Sequence, residues 1–156
     1  MPVRFQLEVL GETQIDRTFL RMSDAARNLS PMFDKIVKEL QEVEKLQFES
    51  EGEYGSGGWA PLAESTIERK AREGWNEGIL RATDALMNSL TTDGAGSIVE
   101  VASDYLRYGT SIPYAPFHQS GTAVPMPQRR VVQLPEGERR SLVRIVQRYI
   151  MTGELS

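Results

Sequence analysis

The sequence predicts an α+β domain in which a small, mostly antiparallel sheet packs with several helices. Three observations predict it. Short runs with the two-residue period of a strand occur near the N-terminus and again around residues 97–103. The stretches between and after them carry apolar residues at helical spacing. The resulting order, β-α-α-α-α-β-loop-β-α, has no internal repeat at periods of roughly 20–50 residues that would indicate a solenoid. A chain of 156 residues fits one domain, 1–156, with a core of its own.

Each element has its local reason. Val3, Phe5, Leu7 and Val9 alternate with Arg4, Gln6 and Glu8 as in a half-buried strand. From Thr13 to about Asn28, Ile15, Phe19, Leu20, Met22 and Ala26 follow helical spacing. Ser30 as N-cap and Pro31 at the first helical position start a long helix, 31–50. Its apolar side is Phe33, Ile36, Val37, Leu40, Val43 (or Glu44), Leu46 and Phe48. Its charged side, Lys35, Lys38, Glu39, Glu42, Lys45 and Glu49, reads as a solvated face. Four glycines in 51–58 predict a flexible internal loop. Helices are expected at 63–73 and 79–90, with Trp59 and Trp75 flanking the first. A strand is expected at 97–103 and a shorter one at Val131–Leu134. The last helix carries Leu142, Val143, Ile145, Val146, Tyr149 and Ile150 as its core stripe.

Between the last two strands lies Tyr105–Arg130, with three tyrosines, Phe117, the single histidine, four prolines and an Arg pair. It shows no sustained period, and such segments are characteristically binding or assembly loops on a scaffold. We read 105–130 as an interface loop, the alternative being an internally packed Ω-type loop, with Tyr108, Tyr114, Phe117, His118, Gln119, Arg129 and Arg130 as contact residues; Trp59 reads as core or edge packing or else as an interface anchor. Proline limits the entropy lost on ordering. Aromatics offer large area with few rotors, and the arginines offer forked contacts to carboxylates.

Chemistry finds little purchase. Without cysteine there are no disulfides, thiol nucleophiles or thiolate metal sites. A single histidine makes a zinc centre uncommon. Gly55-Ser-Gly-Gly is not followed by Lys-Ser/Thr, so the phosphate-cradling loop is not matched. Ser120, His118 and Asp104 supply the residue types of a triad but no nucleophile-elbow pattern. The expectation is therefore no enzyme, no metal and no cofactor. No apolar run approaches the ~18 residues of a membrane span, and the first ten residues lack a signal-peptide layout, so no membrane partner is expected. The net charge of -4 argues mildly against general nucleic-acid binding. Arg140, Arg144 and Arg148, on one face of the last helix, are the exception and keep contact with DNA open as an alternative function. Residues 1–78 carry 15 acids against 10 bases and 79–156 carry 7 against 8, a modest asymmetry that suits head-to-tail contact between subunits and equally a solvated helix face.

One ordered set of residues goes beyond generic globularity. It comprises Phe48; Gly58-Trp59-x-Pro61-Leu62 with Thr66 and Lys70; and Ile79-Leu80-Arg81-x-Thr83 with Leu86 and Ser89-Leu90. Val99-x-Val101, Tyr114-Ala115-x-x-His118-Gln119-x-Gly121, Pro127-x-Arg129 and the helix ending Ile145 to Ile150 complete it. The set resembles the phage virion morphogenesis (tail completion) family of tailed bacteriophages. Two positions depart from the family pattern. Asp84 stands where a glycine is common, and Arg130-Val131-Val132-Gln133-Leu134 follows Arg129 where Pro-Phe-Leu-Gly is usual. The resemblance implies a structural virion protein at the head-proximal end of the tail, made in the host cytoplasm. It further implies a homo-oligomeric ring, six-fold by analogy with the tail tube. The implied partners are tail tube or terminator and neck or connector proteins, with DNA passing through.

Overall fold

The computed structural model describes residues 12–122 and 125–155. The strand expected at Val3–Val9 lies outside them. Seven helices and two strands follow in the order α1 (Glu12–Arg27), α2 (Ser30–Glu49), α3 (Glu53–Ser56), α4 (Glu64–Glu73), α5 (Ala85–Thr91), β1 (Ser97–Val101), β2 (Leu106–Thr110), α6 (Ala115–Ser120) and α7 (Glu136–Thr152). The architecture is α+β, and β1 pairs antiparallel with β2, Val99 opposite Tyr108.

The long helix α2 is the axis of the fold. Twenty residues at 1.5 Å each span roughly 30 Å, enough to serve two cores. Met32 and Ile36, on its first half, join Ala25 of α1 and Tyr149 of α7. Phe48, at its far end, joins Trp59, Ile79, Leu86, Leu90, Ala115 and Val131. Leu86 and Leu90 are wholly buried, and each contributes about 1.5–3 kcal/mol by leaving water. Met87, Tyr108 and Ile112 pack on the same cluster, which ties the hairpin to α5 and α2.

Several expectations are corrected. The helix expected from 79 is only Ala85–Thr91, because Leu80 and Asp84 take positive φ (60° and 54°) and interrupt it. Leu29, not Ser30, occupies the N-cap of α2; Ser30 already lies in the helix and its N–H is received by Asn28 Oδ1 at 3.1 Å. Along α2 the inward face is offset from the simplest apolar reading. Leu46 is exposed, whereas Glu44 and Gln47 are buried. On α7, Tyr149 is buried but Val143 and Val146 are exposed, and on α1 Ile15, Phe19 and Leu20 are exposed. The segment 105–130 is not structureless. It contains β2, whose alternation needs β1 to be expressed, and α6, with proline in its first turn and Gly121 at its C-cap.

The expected strand at Val131–Leu134 does not form. Its backbone is engaged by a side chain instead: Gln119 Nε2 donates to Val132 O and Gln119 Oε1 accepts from Val132 N, both at 2.9 Å. The glycine-rich 51–58 segment holds the short helix α3 and is bonded back to α2. Gly52 N donates to Gln47 O at 2.8 Å and Gly55 N to Gln47 Oε1 at 2.8 Å. Gly52 has φ 90°, and a Cβ there would sit 2.4 Å from Trp59 Cδ1. Gly57 also has positive φ but open space around it.

Two predictions follow from this packing. Gly52→Ala is expected to destabilise by more than about 2 kcal/mol, whereas Gly57→Ala incurs only the backbone term of about 1 kcal/mol. Urea midpoints at unchanged m-value would report both. The second concerns Glu44, which is 2% exposed with no partner for Oε2 among the described residues. Burial pushes its pKa up to about 8 from 4.5. Between those values the folded state holds a proton that the unfolded state has released, so stability falls as pH rises through the window. Glu44→Gln should flatten that slope between pH 5 and 8 in pH-dependent urea melts; an unchanged slope would count against the assignment.

Candidate functional site

Sequence motifs lying far apart converge on one end of the molecule. After β2, Tyr114 N-caps α6, Pro116 opens it and Gly121 closes it at φ 68°. Ala115, Gln119 and Gly121 of Tyr114-Ala-x-x-His-Gln-x-Gly121 then each have a physical task. Ala115 is buried in the core. Gly121 allows the chain to approach Gln128, whose Cβ would lie 2.7 Å from an added Cβ. His118 O receives Arg129 N at 2.9 Å, and Gln119 O receives Gln128 Nε2 at 2.9 Å. Gln119 is thus a clamp that fixes the returning strand-like segment 128–132 against α6.

The Trp59-x-Pro-Leu motif is fastened to the same segment. Trp59 Nε1 donates to Arg130 O at 2.9 Å, and its ring meets Phe48 edge-on at 5.3 Å. Arg129 turns inward, its Nε donating to Ala60 O at 2.8 Å and Nη2 to Pro61 O at 3.0 Å. Lys70 Nζ bridges Asn76 O and Gly78 O, at 2.9 and 2.5 Å, and so shapes the turn that leads to Ile79. Ile79 N in turn donates to Glu51 Oε1 at 3.0 Å. Asp84, at the common glycine position, keeps the left-handed conformation a glycine would take and pairs with Arg81 Nε at 2.7 Å. Asp is among the few residue types that tolerate it.

The contact residues expected from sequence therefore separate into two groups. Trp59 and Arg129 are buried, and Tyr108 is half-buried with its hydroxyl donating to Leu90 O. These three hold the scaffold. Tyr114, Phe117 and Arg130 are exposed, and His118 and Gln119 are half-buried. Arg129 is consequently not the outward fork that its position beside Arg130 suggested.

A groove of about 960 Å³ opens between α4, the turn at 80–83, α6 and residues 125–129. Leu62, Leu80, Tyr114 and Met126 give it apolar walls, and Arg69, Lys70, His118 and Arg129 line it with basic groups. His118 stacks edge-on against Tyr114 at 6.1 Å, and its buried Nδ1 has no partner among the described residues. Desolvation, then the Arg129 charge, lowers its pKa, which favours the neutral ring. Ser120 Oγ bonds Pro116 O and Thr122 Oγ1 rather than His118, so the triad drawn from sequence is not assembled there. Among the described residues no cluster of His, Cys, Asp or Glu has the grouping of a metal site, and no helix is long and apolar enough to cross a membrane.

Sequence reasoning missed the groove because its basic lining is divided among three segments. Lys70 sits in Arg69-Lys70-x-Arg72, which reads as a solvated helix face, yet it alone of the three is buried. On α7 the expected basic stripe is partly engaged. Arg140 Nε lies 3.2 Å from Glu136 Oε1. Arg144 and Arg148 line a smaller cavity of about 210 Å³ together with Lys35 and Glu154.

Comparison with known proteins agrees with this convergence of motifs. No curated protein and no solved structure matches the chain. The model of the phage virion morphogenesis family matches residues 10–151, which include every motif described above. The chain belongs to the phage virion morphogenesis family, and its role lies in virion assembly.

Proposed function

We propose that the protein is a structural, non-enzymatic component acting at the head-proximal end of the tail, in tail completion and head–tail joining. It forms a closed ring of identical subunits, six by analogy with the tail tube. The ring docks against tail-tube or terminator proteins on one side and neck or connector proteins on the other. The observation that carries this reading is the α6 corner. Tyr114 is 40% and Phe117 49% exposed, on a helix tied to the returning segment by the Gln119 amide bonded to Val132 and by Arg129 N donating to His118 O. Rigid exposed aromatics are the residue types that dominate protein interfaces. A head-to-tail contact repeated between identical subunits closes into a ring where its rotation closes. The alternative of DNA binding through α7 has weaker support, since Arg140 already faces Glu136.

The double substitution Tyr114→Ala with Phe117→Ala tests the reading. Both side chains are outward, so the subunit should keep its melting temperature within a few degrees. Tailed particles should fall by at least about tenfold if each aromatic contributes a typical hot-spot energy. Electron microscopy of lysates complemented with the variant would show heads and unjoined tails. Normal numbers of joined, infectious particles would sink the proposal.

A further inference from the structure

The groove beside α6 recesses two cations in a lining that contains no carboxylate. Lys70 is 5% exposed and Arg129 6%. Their donors are taken up by backbone carbonyls of Asn76, Gly78, Ala60 and Pro61. Carbonyls satisfy hydrogen bonds without supplying an opposite charge in contact, and buried charges are ordinarily paired. Among the described residues neither cation has a carboxylate within ion-pair distance, and no Asp or Glu lines the groove. Asp84 and Glu51 act on Lys70 from a distance, the first paired with Arg81 and the second receiving Ile79 N, and neither lines the groove. Arg69 adds a third positive charge at the rim, lying 5.6 Å over the Trp75 ring. Desolvation lowers the pKa of Lys70, against the opposing charges of Glu51 and Asp84, and it lowers that of Arg129.

The apolar walls restrict what that anion can be attached to. Leu80 holds a left-handed backbone, φ 60°, uncommon for a bulky residue, and lines the groove in that conformation. Leu62, Met126, Pro125 and Pro127 form the remaining sides. Recessed cations between apolar walls suit a chain that brings a carboxylate and a hydrophobic side chain together. A nucleic-acid backbone prefers an exposed basic stripe it can track. The volume lies in the range of ligand-binding clefts, about 300–1,000 Å³.

We propose that this groove is a docking site for an extended acidic segment of another virion protein, whose Asp or Glu carboxylate seats between Arg69, Lys70 and Arg129 while a neighbouring apolar side chain packs on Leu62 and Leu80. The proposal deepens the assembly reading and rests on it, since it names the chemistry of one of the partners. Charge complementarity and the apolar walls together set the specificity, which calls for acid and hydrophobe in the same short segment.

The test uses the full-length, isotopically labelled chain and three probes followed by NMR. They are the peptide acetyl-Glu-Leu-Glu-Phe-Glu-Leu-amide, its analogue with every Glu replaced by Gln, and a twelve-nucleotide oligothymidylate. The acidic peptide should shift Thr66, Leu80, Thr83 and His118, and the Gln peptide should bind about tenfold more weakly. Arg69→Glu and Met126→Glu, both at exposed positions, should each weaken the acidic peptide by about fivefold or more without altering the melting temperature. Equal binding of the two peptides, or shifts spread away from the groove, overturns the proposal. Preferential shifts of the groove by the oligonucleotide overturn it in favour of phosphate recognition. Groove shifts that appear on raising protein concentration alone overturn it in favour of a second copy. Because no particle is assembled in this experiment, its failure leaves the Tyr114/Phe117 complementation result standing, and the reverse also holds.

Discussion

The fold depends on one buried polar knot, centred on Gln47. Its side chain is fully buried. Nε2 donates to Ser56 Oγ at 3.0 Å and to Arg130 O at 3.3 Å, while Oε1 receives Gly55 N. Trp59 Nε1 reaches the same Arg130 carbonyl. One amide therefore joins α2, α3 and the segment that returns from α6. A buried, fully partnered group of this kind specifies one arrangement, because removing it strands several donors and acceptors at about 1–3 kcal/mol each. The position of Arg130 fixes Arg129, and Arg129 fixes Ala60 and Pro61, so the floor of the groove is a consequence of the knot.

The helices were legible where their pattern is local, and α1, α2, α4 and α7 appear where helical spacing placed them, to within a residue or two. The errors fall where a tertiary contact replaces a local signal. Val131–Leu134 has strand composition, but the backbone of Val132 is bonded by the Gln119 amide, so no ladder can form. The glycines of 51–58 suggest freedom; one of them is instead required by the closeness of Trp59, and another hands its N–H to Gln47. Residue type alone could not separate these cases, because a glycine that permits motion and a glycine that permits contact look the same in sequence.

The candidate site was half legible for a related reason. Aromatics, prolines and the histidine marked the region around α6, and those residues do lie together. Their orientations were not legible. Tyr108 and Tyr114 are six residues apart in one aromatic segment, yet the first donates its hydroxyl inward to Leu90 O and the second is exposed. Arg129 and Arg130 are adjacent and point opposite ways, as consecutive residues of an extended chain must. The departure at Asp84 is resolved by geometry: it satisfies the backbone demand of a glycine and adds an ion pair with Arg81.

The same alternation explains how one short segment can both build and present a site. Along 129–132, Arg129 and Val131 face in, at 6% and 1% exposure, while Arg130 and Val132 face out. The inward pair anchors the segment through the Ala60 and Pro61 carbonyls and through the Phe48–Trp59 core. Moving it by one residue would exchange the two faces, exposing Val131 and breaking the contacts that hold the groove wall. The buried charge of Arg129 is therefore well placed to be both a brace and a recessed binding group. Its planar guanidinium can hold two carbonyls on one edge, and the residue still borders the groove. A lysine at this position would lack that geometry, because its point charge cannot keep the paired carbonyl contacts and remain oriented toward the cleft.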